Sequence, residues 1–144
     1  MNEFEAYEAS CRKQKAVNQE FLNLFLADLD AKGLSEKTIR SHISNVDLYL
    51  NEYLLRSEII PMEQGCSFGN IDDFIGYFFI RKCAWSTPAT VKSTAASLKK
   101  FYKCMLEHGK ITPEDYNEVT ETIKDCMEDW QADCADFNDD SMSW

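Results

Sequence analysis

Ser86-Thr87-Pro88-Ala89-Thr90-Val91, running on as KSTAASLKKFYKCMLEHG to Gly109, reads as one complete helix with both of its ends written in. Ser86 or Thr87 can cap the start, because a short hydroxyl accepts a hydrogen bond from an otherwise orphaned amide of the first turn. Pro88 then falls at the first helical position, where its missing N–H is no loss. Gly109 suits the left-handed residue that closes a helix. At 100° per residue, Val91, Ala95, Leu98, Tyr102, Met105 and Leu106 share one apolar arc. Lys92, Lys99 and Lys103 form a stripe beside it, followed around the helix by Ala96, Lys100, Ser93, Ser97 and Thr90. A face that is basic and otherwise smooth with Ala and Ser can lie against a phosphate backbone. The same pattern also describes the solvated side of an ordinary core helix.

The rest of the chain is helical in the same way. Residues 3–31 lack Gly and Pro, and Val17, Phe21, Leu24, Phe25, Asp28 and Leu29 recur at helical spacing up to a stop at Lys32-Gly33. Ser35 caps a second helix whose apolar set is Ile39, Ile43, Val46, Leu50, Tyr53 and Leu54. Residues 61–69 are expected to be a loop. Asn70 then caps a third helix, Ile71 to about Cys83, that is apolar almost all round and therefore central in the core. Thr112-Pro113-Glu114-Asp115 opens a fifth helix, in which Tyr116, Val119, Ile123, Cys126, Met127, Trp130, Cys134 and Phe137 keep the rhythm. No β pattern or internal repeat interrupts this. The expected fold is all-α, a compact bundle of about five helices. Residues 1–111 form its body, 112–137 an acidic amphipathic helix packed on it, and 138–144 a flexible tail, with Trp144 free to dock.

Composition narrows the function classes. A chain of 144 residues that is 44% hydrophobic is one globular domain, able to bury roughly 70% of its extended surface. The start is acidic without an apolar run, and nothing approaches the roughly 20 apolar residues of a membrane span. The expectation is a cytoplasmic protein with no membrane partner. Six cysteines occur without a CxxC pair, so reduced thiols and no metal or cofactor are expected. His42 and His108 have no motif partner, and His108 reads as a surface residue compatible with a helix end. No phosphate loop, zincin motif or nucleophile elbow is present, so the chain is expected not to be an enzyme. The net charge of −10 is uneven. Residues 61–110 carry seven basic and four acidic groups, whereas residues 111–144 carry one and eleven.

The segments Gly33-Leu34-Ser35-Glu36-Lys37-Thr38-Ile39-Arg40-Ser41-His42, Ile71-Asp72-Asp73-Phe74-Ile75, Ser86-Thr87-Pro88-Ala89-Thr90-Val91-Lys92, Leu98-Lys99-Lys100-Phe101-Tyr102-Lys103 and Glu107-His108-Gly109-Lys110-Ile111 occur in that order. Together they resemble the N-terminal core-binding domain of tyrosine recombinases, the phage-integrase family, over roughly residues 17 to 111. The resemblance implies a helical bundle whose second and fourth helices approach double-stranded DNA. By position it implies Thr38, Arg40, Ser41, Ser44 and Asn45, then Thr87, Thr90, Lys92, Ser93, Ser97 and Lys100, as DNA-binding residues. It does not extend to the family's catalytic Arg, His-x-x-Arg and Tyr set, since no Arg follows Arg81. The family often has Arg pairs where this chain has Ile43-Ser44 and Ser93-Thr94, and Tyr where it has His42, which implies weak or regulated binding. Two functions follow as expectations: a non-catalytic DNA-binding accessory module related to recombination and integration, or a protein–protein interaction domain. The second would have kept the fold and lost DNA binding, and would pair with a recombinase or with itself through the fifth helix.

Overall fold

The computed structural model describes residues 2–142. Among them there are five helical rods and no strand. Helix α1 is Glu3–Ala31. Helix α2 is Glu36–Asp47, continued by a π-helical turn, Leu48–Tyr53. A 3-10 turn, Met62–Cys66, leads into α3, a continuous rod built from Phe68–Asp73, a π-helical turn Phe74–Phe78, and Phe79–Lys82. Helix α4 is Pro88–Glu107 and α5 is Pro113–Met142.

The punctuation of α4 acts as its chemistry requires. Thr87 is the cap: its Oγ1 accepts from Thr90 N at 3.1 Å while Thr90 Oγ1 accepts from Thr87 N at 2.7 Å, a reciprocal capping box. Ser86 is buried instead and donates to Ile80 O. At the other end Gly109 has φ 72°, with Gly109 N donating to Leu106 O and Lys110 N to Met105 O, the Schellman arrangement. Thr112 Oγ1 likewise accepts from Asp115 N, and Asp115 Oδ2 from Thr112 N, at the start of α5.

Three expectations shift. The cap of α3 is Ser67, not Asn70: Ser67 Oγ accepts from Asn70 N, and the Asn70 side chain turns back to donate to Gln64 O. The buried face of α1 is Asn18, Leu22, Phe25 and Leu29, leaving Val17 38% exposed. Asn18 is tolerated inside because its amide donates to Asn51 Oδ1 and Leu50 O on the π-helical turn of α2. Helix α5 runs past Phe137 to Met142, so residues 138–142 are helical. Docking of Trp144 lies outside the described residues.

The core gathers all five rods around Phe25, Tyr49, Phe74, Phe79, Phe101, Tyr102 and Trp130. Two buried tyrosines hold the 3-10 turn beneath α4: Tyr49 donates to Gly65 O at 2.6 Å and Tyr102 to Met62 O at 2.8 Å. A side chain at Gly65 would strike the Tyr102 hydroxyl, so glycine is needed there for close approach. Helix α5 lies along both α3 and α4. It runs antiparallel to α4: Tyr116 sits beside Lys103 near the end of α4, whereas Gln131 donates to Pro88 O at its start. Against α3, Trp130 is buried and its Nε1 donates to Asp72 Oδ1 at 2.8 Å. The aromatic side chains of α5 therefore pack within the chain, and removing the helix would uncover the core.

Candidate nucleic-acid interface

Helices α2 and α4 pack side by side through a small polar seam. Ser97 is fully buried, and its Oγ lies 2.7 Å from His42 Nδ1, 2.9 Å from Asn45 Nδ2 and 3.1 Å from Ser93 O. Donation to Ser93 O leaves the two lone pairs of Ser97 for the Asn45 amide and for His42 carrying its proton on Nδ1. Burial, and after it the Lys100 ammonium, lowers the pKa of His42 and keeps the imidazole neutral. The seam fixes how the two helices sit, and hence which side chains they show to solvent.

Two shallow hollows open along the exposed side of α4. The first, about 460 Å³, is lined by Lys37, Thr38, Ser41 and His42 of α2 and by Ser93 and Ser97 of α4. The second is lined by Lys32, Ala96, Lys99, Lys100, Lys103 and Tyr116. Ser93, Ala96 and Lys100 follow one another along that side of α4, so the hollows form a single band. Its charges come from the end of α1, the start of α2 and the middle of α4. The Lys103 ammonium stands 5.3 Å from the centre of the Tyr116 ring, which borders the band on the α5 side.

The residues implied by the family resemblance divide into three groups. Thr38, Ser41, Ser44, Lys92, Ser93 and Lys100 are exposed, and Thr38, Ser41, Ser93 and Lys100 line the hollows. Arg40 is exposed and pairs with Glu36 at 3.1 Å; a surface pair of this kind is weak and exchanges readily. Neither hollow includes Arg40 or Lys92. Thr87, Thr90 and Asn45 have structural tasks, the first two in the capping box and the third in the seam. Ser97 is a correction: it stands at the back of the first hollow with its side chain fully buried, and its hydroxyl is taken up by His42, Asn45 and Ser93 O. Lys37 and Lys32 were missed by position-matching. Lys37 was visible in the sequence as one of the polar residues of α2. Lys32 carries no sequence signal, because only folding brings the end of α1 to α4.

The acidic groups of α5 lie mostly on its other flank. Asp129 and Asp133 face Asp72, Asp73 and Tyr77 of α3, and Asp136 and Asp140 adjoin Tyr77 and Arg81. Asp115 and Glu118 adjoin Glu63 on the 3-10 turn. On the flank toward the lysines, helical spacing places Tyr116, Thr120, Lys124, Met127 and Gln131. The −10 segment thus borders the basic band with its neutral and basic edge.

Comparison with known protein families, with characterised proteins and with solved structures finds no match to this chain. Among the described residues, no helix is long and apolar enough to cross a membrane.

Proposed function

We propose that this chain is a non-catalytic DNA-binding module related to the core-binding domains of site-specific recombinases, contacting the duplex backbone through the α2–α4 face. The observation that carries the reading is the convergence of Lys32, Lys37, Lys99, Lys100 and Lys103, from three helices, on one band floored by Ser93 and Ala96. Small side chains let a phosphate backbone approach α4, while the lysines supply the charge. Nothing in the band reads base edges bidentately as Arg or Asn commonly does, so the binding is backbone-directed, weak and strongly salt-dependent.

The test is fluorescence anisotropy of the full chain on duplex DNA across a salt series. Each neutralised phosphate contributes about −0.9 to the slope of log K against log salt, so contacts by all five lysines predict a slope of about −4 to −5. Lys99→Glu/Lys100→Glu is expected to abolish binding at moderate salt while leaving the fold intact, since both side chains are exposed. Absence of binding by the parent chain even at low salt refutes the reading. The protein-interaction alternative draws its support from Tyr77, 56% exposed beside Arg81 and the acidic flank of α5.

A further inference from the structure

The ends of α1 and α4 meet at a cluster of three side chains with different ligand chemistries. Asp28 stands on the last turn of α1, Cys104 on the last turn of α4, and His108 at the C-cap of α4. His108 Nε2 lies 3.4 Å from Asp28 Oδ1, although the two are 80 residues apart in sequence. One ligand atom from each of the three, including Cys104 Sγ, lies within 4.8 Å of the others.

We propose that Asp28, Cys104 and His108 form a binding site for a borderline-soft divalent cation, zinc by the character of its ligands. Three observations support it. Zinc takes thiolate, imidazole and carboxylate at about 2.0–2.3 Å, which sets tetrahedral ligand–ligand separations of about 3.2–3.7 Å. The Asp28–His108 pair is already at that separation, and the widest pair needs to close by only about 1 Å. Cys104 and His108 are spaced i, i+4 on one helix, so they share a face and the backbone fixes their approach. Finally, both α1 and α4 end here, and the negative ends of their dipoles favour a cation.

The site is built for entry as well as binding. Cys104 is buried at its base, whereas the Asp28 and His108 side chains are 26% and 37% exposed at the rim. Binding replaces the thiol proton of Cys104, released to solvent, by the metal–sulfur bond, with His108 coordinating through neutral Nε2. A water fills the fourth position. The bound ion would fasten the closing turn of α1, with its Gly33 stop, to that of α4, with its Gly109 stop. The other five cysteines, including Cys66 and Cys83 in the core, are free thiols outside this cluster.

The reduced full-length chain is titrated with Co²⁺ and followed by absorption, then challenged with Zn²⁺. The expected result is one cobalt per chain, with a sulfur-to-cobalt charge-transfer band and the strong visible bands of tetrahedral coordination, all displaced by zinc. Cys104→Ser should remove the charge-transfer band. His108→Gln and Asp28→Asn should each weaken zinc by at least the roughly 10- to 100-fold typical of losing even an outer-shell partner. A parent chain without the charge-transfer band overturns the proposal, as does a band that survives in Cys104→Ser, which would place the metal on another thiol. If Cys104→Ser fails to fold by circular dichroism, the exposed His108→Gln variant decides: parental affinity there also overturns the site.

Discussion

Trp130 is the largest side chain that α5 lends to the core, and replacing it with alanine measures how far that helix belongs to the fold. The indole is 2% exposed and lies against Gly76 on the π-helical turn of α3. A buried Trp removes about 150–250 Å² from water, which at about 25 cal/mol per Å² is about 4–6 kcal/mol. Losses of about 3–5 kcal/mol are usual for Trp→Ala. The hydrogen bond to Asp72 adds little, because that carboxylate is half-exposed and rehydrates. With a urea m-value of about 1–3 kcal/mol/M, the midpoint should fall by about 2 M. Gly76 makes the test specific. A Cβ there would lie 2.7 Å from Trp130 Cδ1 and 2.8 Å from Nε1, so Gly76→Ala should cost about 1–3 kcal/mol by overpacking. In the Trp130→Ala background the same methyl enters vacated space, and the helical preference of alanine over glycine, about 1 kcal/mol, should make it neutral or stabilising. The four urea curves, followed by circular dichroism, therefore predict a strong coupling between the two sites. Additive effects, or a loss below about 1 kcal/mol for Trp130→Ala, would refute the described docking of α5 on α3.

Two further outcomes are expected. Tyr102→Phe leaves Met62 O without its donor in a buried position and should cost about 1–3 kcal/mol by urea denaturation, whereas Tyr77→Phe, at an exposed ring, should stay within about 0.5 kcal/mol. The pH dependence follows from His42, whose pKa in the fold lies below the ordinary 6.5 because of burial and then Lys100. Between those two values the unfolded chain binds more protons than the native one, so this contribution to stability is full above about pH 6.5 and falls as pH drops. Comparing urea midpoints at about pH 7.5 and about pH 5 for the parent and His42→Gln should show a smaller pH difference in the variant; an unchanged difference would remove His42 as the source.

The α4 helix was legible with only Ser86 and Thr87 left as alternative caps, because everything that defines it is local. Capping, proline placement, the glycine stop and the apolar arc all act within a few residues, so Thr87, Pro88 and Gly109 took the places their chemistry assigns them. The same local logic found Ser35 and Thr112. It failed at Asn70, which was read as the cap: Ser67 Oγ accepts from Asn70 N, and the Asn70 side chain turns back to Gln64 O, a contact outside the helix. It also misjudged the face of α1, where a polar Asn18 is drawn inward by a carbonyl on another helix.

The sequence by itself determined five helices, most of their ends, most of the core, and an uneven charge with the acids gathered at the C-terminal end. Those are properties of periodicity and composition, and they need no knowledge of neighbours. Only the tertiary structure decided that Ser97 closes a seam instead of facing solvent, and that Lys32 joins Lys99, Lys100 and Lys103. It also turned most of the acidic flank of α5 away from the lysines and brought Asp28 to Cys104 and His108. Each of these depends on the angle and rotation at which one helix meets another. Side-chain volumes across the whole core set those quantities, and no single stretch of the chain encodes them.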